Sequence, residues 1–188
     1  MEKRGRGRPR REGADEEILT AARDLLRERK YRDFSVDEIA ARTGVAKTTI
    51  YRRWPSKGAL VAATVEPLAA ADLEETDTGS LKSDLTILLR RFCETLSGEL
   101  GPVVAALIGE AQTDSELQQI LRKVLTPRRK LFHDALDRAV KRGELPANTN
   151  HELFVDMLRG PVWTRLLLTG GKIDDHLADS IVAMLTRK

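Results

Sequence analysis

Aromatic side chains are scarce in this 188-residue chain, at 4%. Sheets lean on aromatic and β-branched residues. Their scarcity beside abundant Leu and Ala points away from sandwiches and barrels and towards helices. Cysteine occurs once, at Cys93, which excludes an intrachain disulfide framework and suits a reducing cytoplasm. The three histidines, His133, His151 and His176, are scattered without metal-ligand spacing. The run Asp175, His176, Asp179 could bind a metal, but a capped helix start is the stronger reading. There is no Gly-rich phosphate loop and no nucleophile elbow. Neither an enzyme, a cofactor nor a metal centre is therefore expected. No apolar run approaches the roughly 18 residues of a membrane span. The basic N-terminus lacks the apolar stretch of a secretory signal.

What the chain does have is a core-forming share of apolar residues, 41%, and an uneven distribution of charge. The net charge of +3 is modest, yet residues 1–11 hold Lys3, Arg4, Arg6, Arg8, Arg10 and Arg11 against the single acid Glu2. Such a stretch cannot bury anything, so residues 1–13 are expected to form a disordered basic arm. A basic end on a near-balanced body suggests contact with nucleic acid.

Beyond the arm, apolar residues recur at helical spacing. Ile18, Ala22, Leu25 and Leu26 mark a helix starting near Asp15. Ser35, followed three residues later by Glu38, reads as a capping box opening a short helix to about Arg42. Thr43 and Gly44 stop it, and a second short helix over 46–53 ends before Pro55. Ser56 caps the next helix, and the polar run 72–79 reads as a linker. Leu81, Leu85, Leu88, Phe92 and Leu96 then line a long helix, and Gly101-Pro102 opens another. Asp114 or Ser115 caps a third, which Pro127 should kink or split. Residues 150–169 form an apolar helix interrupted at Gly160-Pro161, and 173–187 the last. The expected fold is all-α: an N-terminal helix-turn-helix domain over 14–63, then a helical bundle over 64–188.

The helix-turn-helix over 35–54 is the segment with functional content. Two helices that cross closely need a small residue at the crossing, Gly in the turn and a branched apolar anchor on the second helix. Ala40, Gly44 and Ile50 supply them. This geometry lets the second helix enter a major groove about 12 Å wide. The stretch FSVDEIAARTGVAKTTIYRRWPSKGALVAA, residues 34–63, resembles the signature of the tetracycline-repressor (TetR) family of bacterial regulators. The resemblance covers about residues 14–63. Arg53 and Trp54 stand where many members carry His and Phe, and Pro55 follows; the YRRWPSK run resembles one branch of the family. The resemblance implies that Lys47, Thr48 and Thr49 open the recognition helix and face the bases. It implies phosphate contacts at Tyr51, Arg52 and Lys57, and further donors at Ser35 and Thr43. Trp54 reads as a core anchor; Arg52 and Arg53 could instead be solvated face residues.

The arm carries a separate signal. Gly5-Arg6-Gly7-Arg8-Pro9-Arg10 resembles an AT-hook core, with Arg6, Arg8 and Arg10 in a narrow minor groove. The other reading is a nonspecific tail that adds affinity through counterion release.

The resemblance further implies that the C-terminal helices form a dimer interface and a pocket for a small-molecule effector. The last two helices are the expected homodimer pair, and double-stranded DNA with a palindromic operator the expected partner. Phe92, Cys93, Phe132, His133, Met157, Trp163 and Arg165 are candidate pocket residues, though each could be ordinary core. Cys93 could be a redox sensor or a buried small hydrophobe. The reading that results is a cytoplasmic, nucleoid-associated repressor released by a ligand. An architectural DNA-binding protein and an activator are the alternatives.

Overall fold

The computed structural model describes residues 13–29, 31–70, 74–98 and 100–187. The residues described are helical apart from turns and short connections. The chain divides into two compact units, residues 1–64 and 65–188.

In the first unit, α1 (Ala14–Glu28) turns its stripe of Ile18, Ala22, Leu25 and Leu26 inward. A single 3-10 turn, Tyr31–Asp33, leads to α2 (Val36–Thr43). The Ser35 hydroxyl caps α2, accepting from the amide of Asp37 at 3.2 Å. The reciprocal half of the expected capping box does not form. The Glu38 carboxylate instead accepts from Arg42, one helical turn on, at 2.6 Å. Arg42 also reaches Glu28 of α1, so Glu38 serves an ion network that ties α1 to α2. Gly44 ends α2 at φ +65°, a left-handed conformation that side chains with a Cβ avoid. Next comes α3 (Lys47–Arg53), then α4 (Lys57–Ala70), whose start is capped by Ser56 accepting from the Ala59 amide at 3.0 Å. α1 packs on α2 and α2 on α3.

In the second unit, α5 (Leu81–Ser97) is central and contacts each helix that follows. These are α6 (Leu100–Glu110), α7 (Ser115–Lys141), α8 (His151–Thr164) and α9 (Asp175–Leu185). Leu85, Leu89, Phe92, Leu136, Leu158 and Val182 belong to one continuous apolar core. α6 leaves α5 so sharply that a Cβ on Gly101 would lie 1.9 Å from the Leu96 carbonyl oxygen, so only Gly fits there.

The split considered at Pro127 and the interruption expected at Gly160-Pro161 do not occur. α7 runs through Pro127 and α8 through Gly160-Pro161 without interruption. Each proline removes one backbone donor, but the carbonyls left over belong to Lys123 and Met157, on exposed sides where water can serve them. The irregularity falls later, as a single π turn over Arg165–Thr169 closed by Gly170 at φ +64°. Asp114, Asn150 and Asp174 cap α7, α8 and α9 through their side chains.

A buried carboxylate holds the segment before α5. Asp84 is fully buried and accepts from the Thr78 amide at 2.7 Å and the Thr78 hydroxyl at 2.6 Å. Arg138 and Arg142 of α7 approach its other oxygen at 3.9 and 3.7 Å. Sequence periodicity alone did not single out this group, an acid within the apolar stripe of α5.

Candidate nucleic-acid interface and ligand cavity

α3 is anchored by Ile50, which is fully buried. Helical geometry then decides what its outer face shows. Lys47, Thr48, Tyr51 and Arg52 are exposed, Thr49 half-buried. Neither threonine hydroxyl is hydrogen-bonded among the described residues, and Arg52 has no ion-pair partner among them. Lys47 is paired with Asp37 of α2, an exposed pair of the kind that is worth little and exchanges easily for a phosphate. Arg53 points the other way and pairs with Asp15 of α1. The structure thus separates two neighbouring arginines, Arg52 facing solvent and Arg53 fastening α3.

Three expected roles look different in three dimensions. The Thr43 hydroxyl donates to the Ile39 carbonyl at 2.8 Å and accepts from the Val45 amide at 3.3 Å, closing the turn between the two helices. Its proton is committed, so it cannot donate to a phosphate without opening that turn. The Lys57 ammonium donates to the Tyr31 carbonyl and lies 4.1 Å from the Tyr31 ring centroid. It braces the turn before α2 as well as carrying charge. Trp54 is half-buried; the buried aromatics of this unit are Tyr31 and Phe34. Ser35 caps α2 through its lone pair, which leaves the hydroxyl proton available. Arg6, Arg8 and Arg10 lie outside the described residues.

The second unit holds a cavity of about 370 Å³ between α6, α7 and α8. Ile108, Leu121, Leu125 and Trp163 give it apolar walls; Gln112, Gln118 and Thr126 add neutral polar groups. Three arginines line it, Arg122, Arg129 and Arg159, and no acid does. Next to it is an apolar crevice of about 20 Å³, lined by Phe92, Leu96 and Val65 among others, with Leu121, Leu125 and Trp163 shared by both.

The candidate pocket residues scatter against this geometry. Trp163 lines both spaces, and Phe92 the crevice. Their rings meet edge-on at 5.5 Å. Cys93 and Phe132 are buried in the core. His133 sits 3.4 Å from Glu152. Met157 faces outward, and Arg165 donates to the Lys172 carbonyl beyond the π turn. The residue that sequence reasoning missed is Arg159. It is a cation among Phe154, Val155, Leu158 and Val162, and that misplaced charge on an apolar face was the available signal.

Burial pushes the Cys93 thiol up to about 11, helped by Asp174 and Asp175. A thiol so placed is almost wholly protonated near neutrality and shielded from reagents, which argues against a redox sensor. At pH 7.5, 5,5′-dithiobis(2-nitrobenzoate) is expected to release no thionitrobenzoate from the native protein and one equivalent in guanidinium. Rapid labelling of the native protein would refute this burial.

Among the described residues no group of His, Cys, Asp and Glu is arranged to hold a metal ion. No single helix among them is long and apolar enough to cross a membrane.

Comparison with known proteins agrees with this architecture. Residues 18–64 match the model described as bacterial regulatory proteins, tetR family, and residues 75–185 the tetracyclin repressor-like C-terminal domain. An uncharacterised HTH-type transcriptional regulator, YdeS of Bacillus subtilis (strain 168), is 36% identical over 178 residues, covering 94% of this chain and 90% of its own. The DNA-binding transcriptional repressor TetR of Mycobacteroides abscessus is 35% identical over 179 residues, covering 90% and 92%. Among solved structures, the TetR family transcription regulator SCO0332 superposes with a TM-score of 0.70 at 32% identity, over 93% of this chain and 97% of that one. The chain belongs to the TetR family of bacterial DNA-binding transcriptional regulators.

Proposed function

We propose that two copies of this chain pair through α8 and α9, place their α3 helices in successive major grooves of a palindromic operator, and repress the gene behind it until a small molecule occupies the cavity of the second unit. The observation that carries the DNA half is the outer face of α3. Thr48 and Thr49 hold uncommitted hydroxyls beside Lys47, the chemistry of base-edge readout. Tyr51 and Arg52 stand exposed beside them as groups suited to phosphates, and Ser35 and Lys57 add a donor and a charge at the two neighbouring helix starts. YRRWPSK is then the run that ends the reading helix and opens α4. The arm with Arg6, Arg8 and Arg10 adds backbone or minor-groove affinity and keeps the protein on the nucleoid of the cytoplasm.

Pairing is supported by the large apolar side chains left exposed on the last two helices and the turn between them: Leu153, Met157, Leu167, Leu168 and Met184. Exposed apolar groups concentrated on one part of a fold mark an interaction site. For effector control the support is the cavity itself, of a size normal for small ligands. Its neighbouring crevice is lined by Val65, on the same helix, α4, that begins at Lys57. A ligand that favours one setting of α4 over another shifts the population that fits the operator.

Selection of bound DNA from a random library tests the proposal. The expected product is an inverted repeat with half-site centres about one helical turn apart. Recovery of unrelated sequences, bound equally well, would favour an architectural protein. Once an operator is known, Arg52→Ala is expected to weaken binding to operator and random DNA alike and to lower the salt slope by about one. A loss confined to one base position would reassign Arg52 to base reading.

A further inference from the structure

Arg159 projects from the middle of α8 and is 95% buried, being 5% exposed. Long cations reach such burial only when something compensates their charge. Among the described residues Arg159 has no hydrogen bond and no salt bridge, and its Nε is buried without a partner. What surrounds it is aromatic: the guanidinium carbon lies 4.6 Å from the Phe92 ring centroid, 5.9 Å from Trp163 and 6.0 Å from Phe132. Burial, together with Arg129 and Arg128 nearby, pulls its pKa down to about 10, so it remains charged at neutral pH at some cost.

The acids that could have neutralised it are engaged elsewhere. Asp156 accepts from Arg129 Nη1 at 2.8 Å, and Glu152 accepts from Arg129 Nε at 3.1 Å. Arg129 is thereby neutralised and Arg159 is not. Arg159 nonetheless lines the 370 Å³ cavity, which has no carboxylate of its own. An unpaired buried guanidinium on the wall of a cavity of ligand size offers an anion a partner that the protein itself does not supply.

From this arrangement we infer that the effector is an apolar organic carboxylate, its head paired with Arg159 and its hydrocarbon part lying against Leu121, Leu125 and Trp163. The inference rests on the effector reading above and specifies its chemistry. A planar guanidinium fork matches a carboxylate through two parallel hydrogen bonds. Of the three arginines on the cavity wall only Arg159 is buried, which suits a single negative charge. The apolar walls, continued by the crevice behind Trp163, suit a hydrocarbon tail or ring rather than a sugar or a peptide. Cationic ligands meet three arginines and no acid, and are excluded.

Titration calorimetry on the full chain tests this with hexanoate, octanoate and decanoate against 1-decanol and decyltrimethylammonium. The carboxylates are expected to bind, with affinity rising with chain length, at least about tenfold more tightly than the alcohol and with no binding of the ammonium. Arg159→Met keeps a long apolar side chain and removes the charge. It is expected to cost carboxylate affinity about 10–100-fold, to leave the alcohol unaffected, and to melt at or above the wild-type temperature. Arg159→Lys should fall between the two. Absence of carboxylate binding overturns the assignment, as does equal binding by Arg159→Met. A lower melting temperature for Arg159→Met with no discrimination between acid and alcohol also overturns it, by showing an arginine that merely props the Phe92–Trp163 pair. Operator release is read separately, by fluorescence anisotropy. Carboxylate that binds without releasing DNA supports this site and counts only against the release step.

Discussion

Charging Leu168 and Met184 together, as L168D/M184D, is expected to leave the protein monomeric and to lower operator affinity by about 10³-fold or more, to the level of random DNA. Leu168 is 82% exposed and Met184 72%, so a single chain gains nothing by keeping either. Both become useful if a second copy covers them. Leu168 sits in the π turn that continues α8 and Met184 near the end of α9, and α8 and α9 pack on one another. Aspartate at these positions is harmless in a monomer, where it faces water. In an apolar interface it leaves two unpaired charges per subunit, each expensive to desolvate. The effect on DNA is indirect and large. One α3 touches only a few base pairs, and the second half-site is bound tightly only because the dimer holds it at high effective concentration. Sedimentation velocity checks the assembly, and anisotropy with a labelled operator checks the affinity. The melting temperature of the monomer should change little. A double variant that stays dimeric would place the interface elsewhere.

How much of this was legible in the sequence depends on what kind of physics each feature obeys. Local rules read well. Ser35 before an apolar run, Gly44 in the turn and Asp114 ahead of α7 are capping and turn chemistry, decided within a few residues, and each holds. The α3 face follows from helical period alone once Ile50 is taken as the inward position. Competition between partners reads poorly. Glu38 has the right spacing to complete a capping box, but Arg42 lies one turn away and takes its carboxylate. Thr43 has a donor that a phosphate could use, but the Ile39 carbonyl is nearer. Prolines 127 and 161 read as breaks because sequence does not reveal that the carbonyls they orphan face water. Long-range burial reads worst. Phe132 looks like a pocket residue at helical spacing, and only the packing of α5 against α7 and α8 shows it to be core beside Arg159, while Phe92 is core and crevice wall at once. The charges that matter most, Asp84 and Arg159, are misfits on apolar stripes. A pattern search that scores amphipathicity discards them as noise, whereas an unexpected ion in an apolar stripe is a question about its counterion.

Ile50→Ala is expected to unfold the first unit and abolish operator binding while the second unit keeps its fold and its cavity. Ile50 is fully buried and is the inward anchor of a seven-residue helix. Such a helix is too short to hold together through its own hydrogen bonds and depends on packing. Removing three carbons from that position costs about 2–5 kcal/mol, transfer and cavity terms together. A unit of this size has little more than that in reserve, because small domains bury too small a fraction of their surface. Arg53 and its Asp15 partner cannot compensate, since a partly exposed ion pair contributes at most about 1 kcal/mol. Hydrogen exchange followed by mass spectrometry separates the outcomes. Amides of α1, α2 and α3 should lose protection together, those of α5, α7 and α8 should not, and decanoate binding at Arg159 should persist in the same sample. Loss of protection throughout the chain would show that the two units fold as one, and would remove the premise that DNA reading and effector binding are separately built.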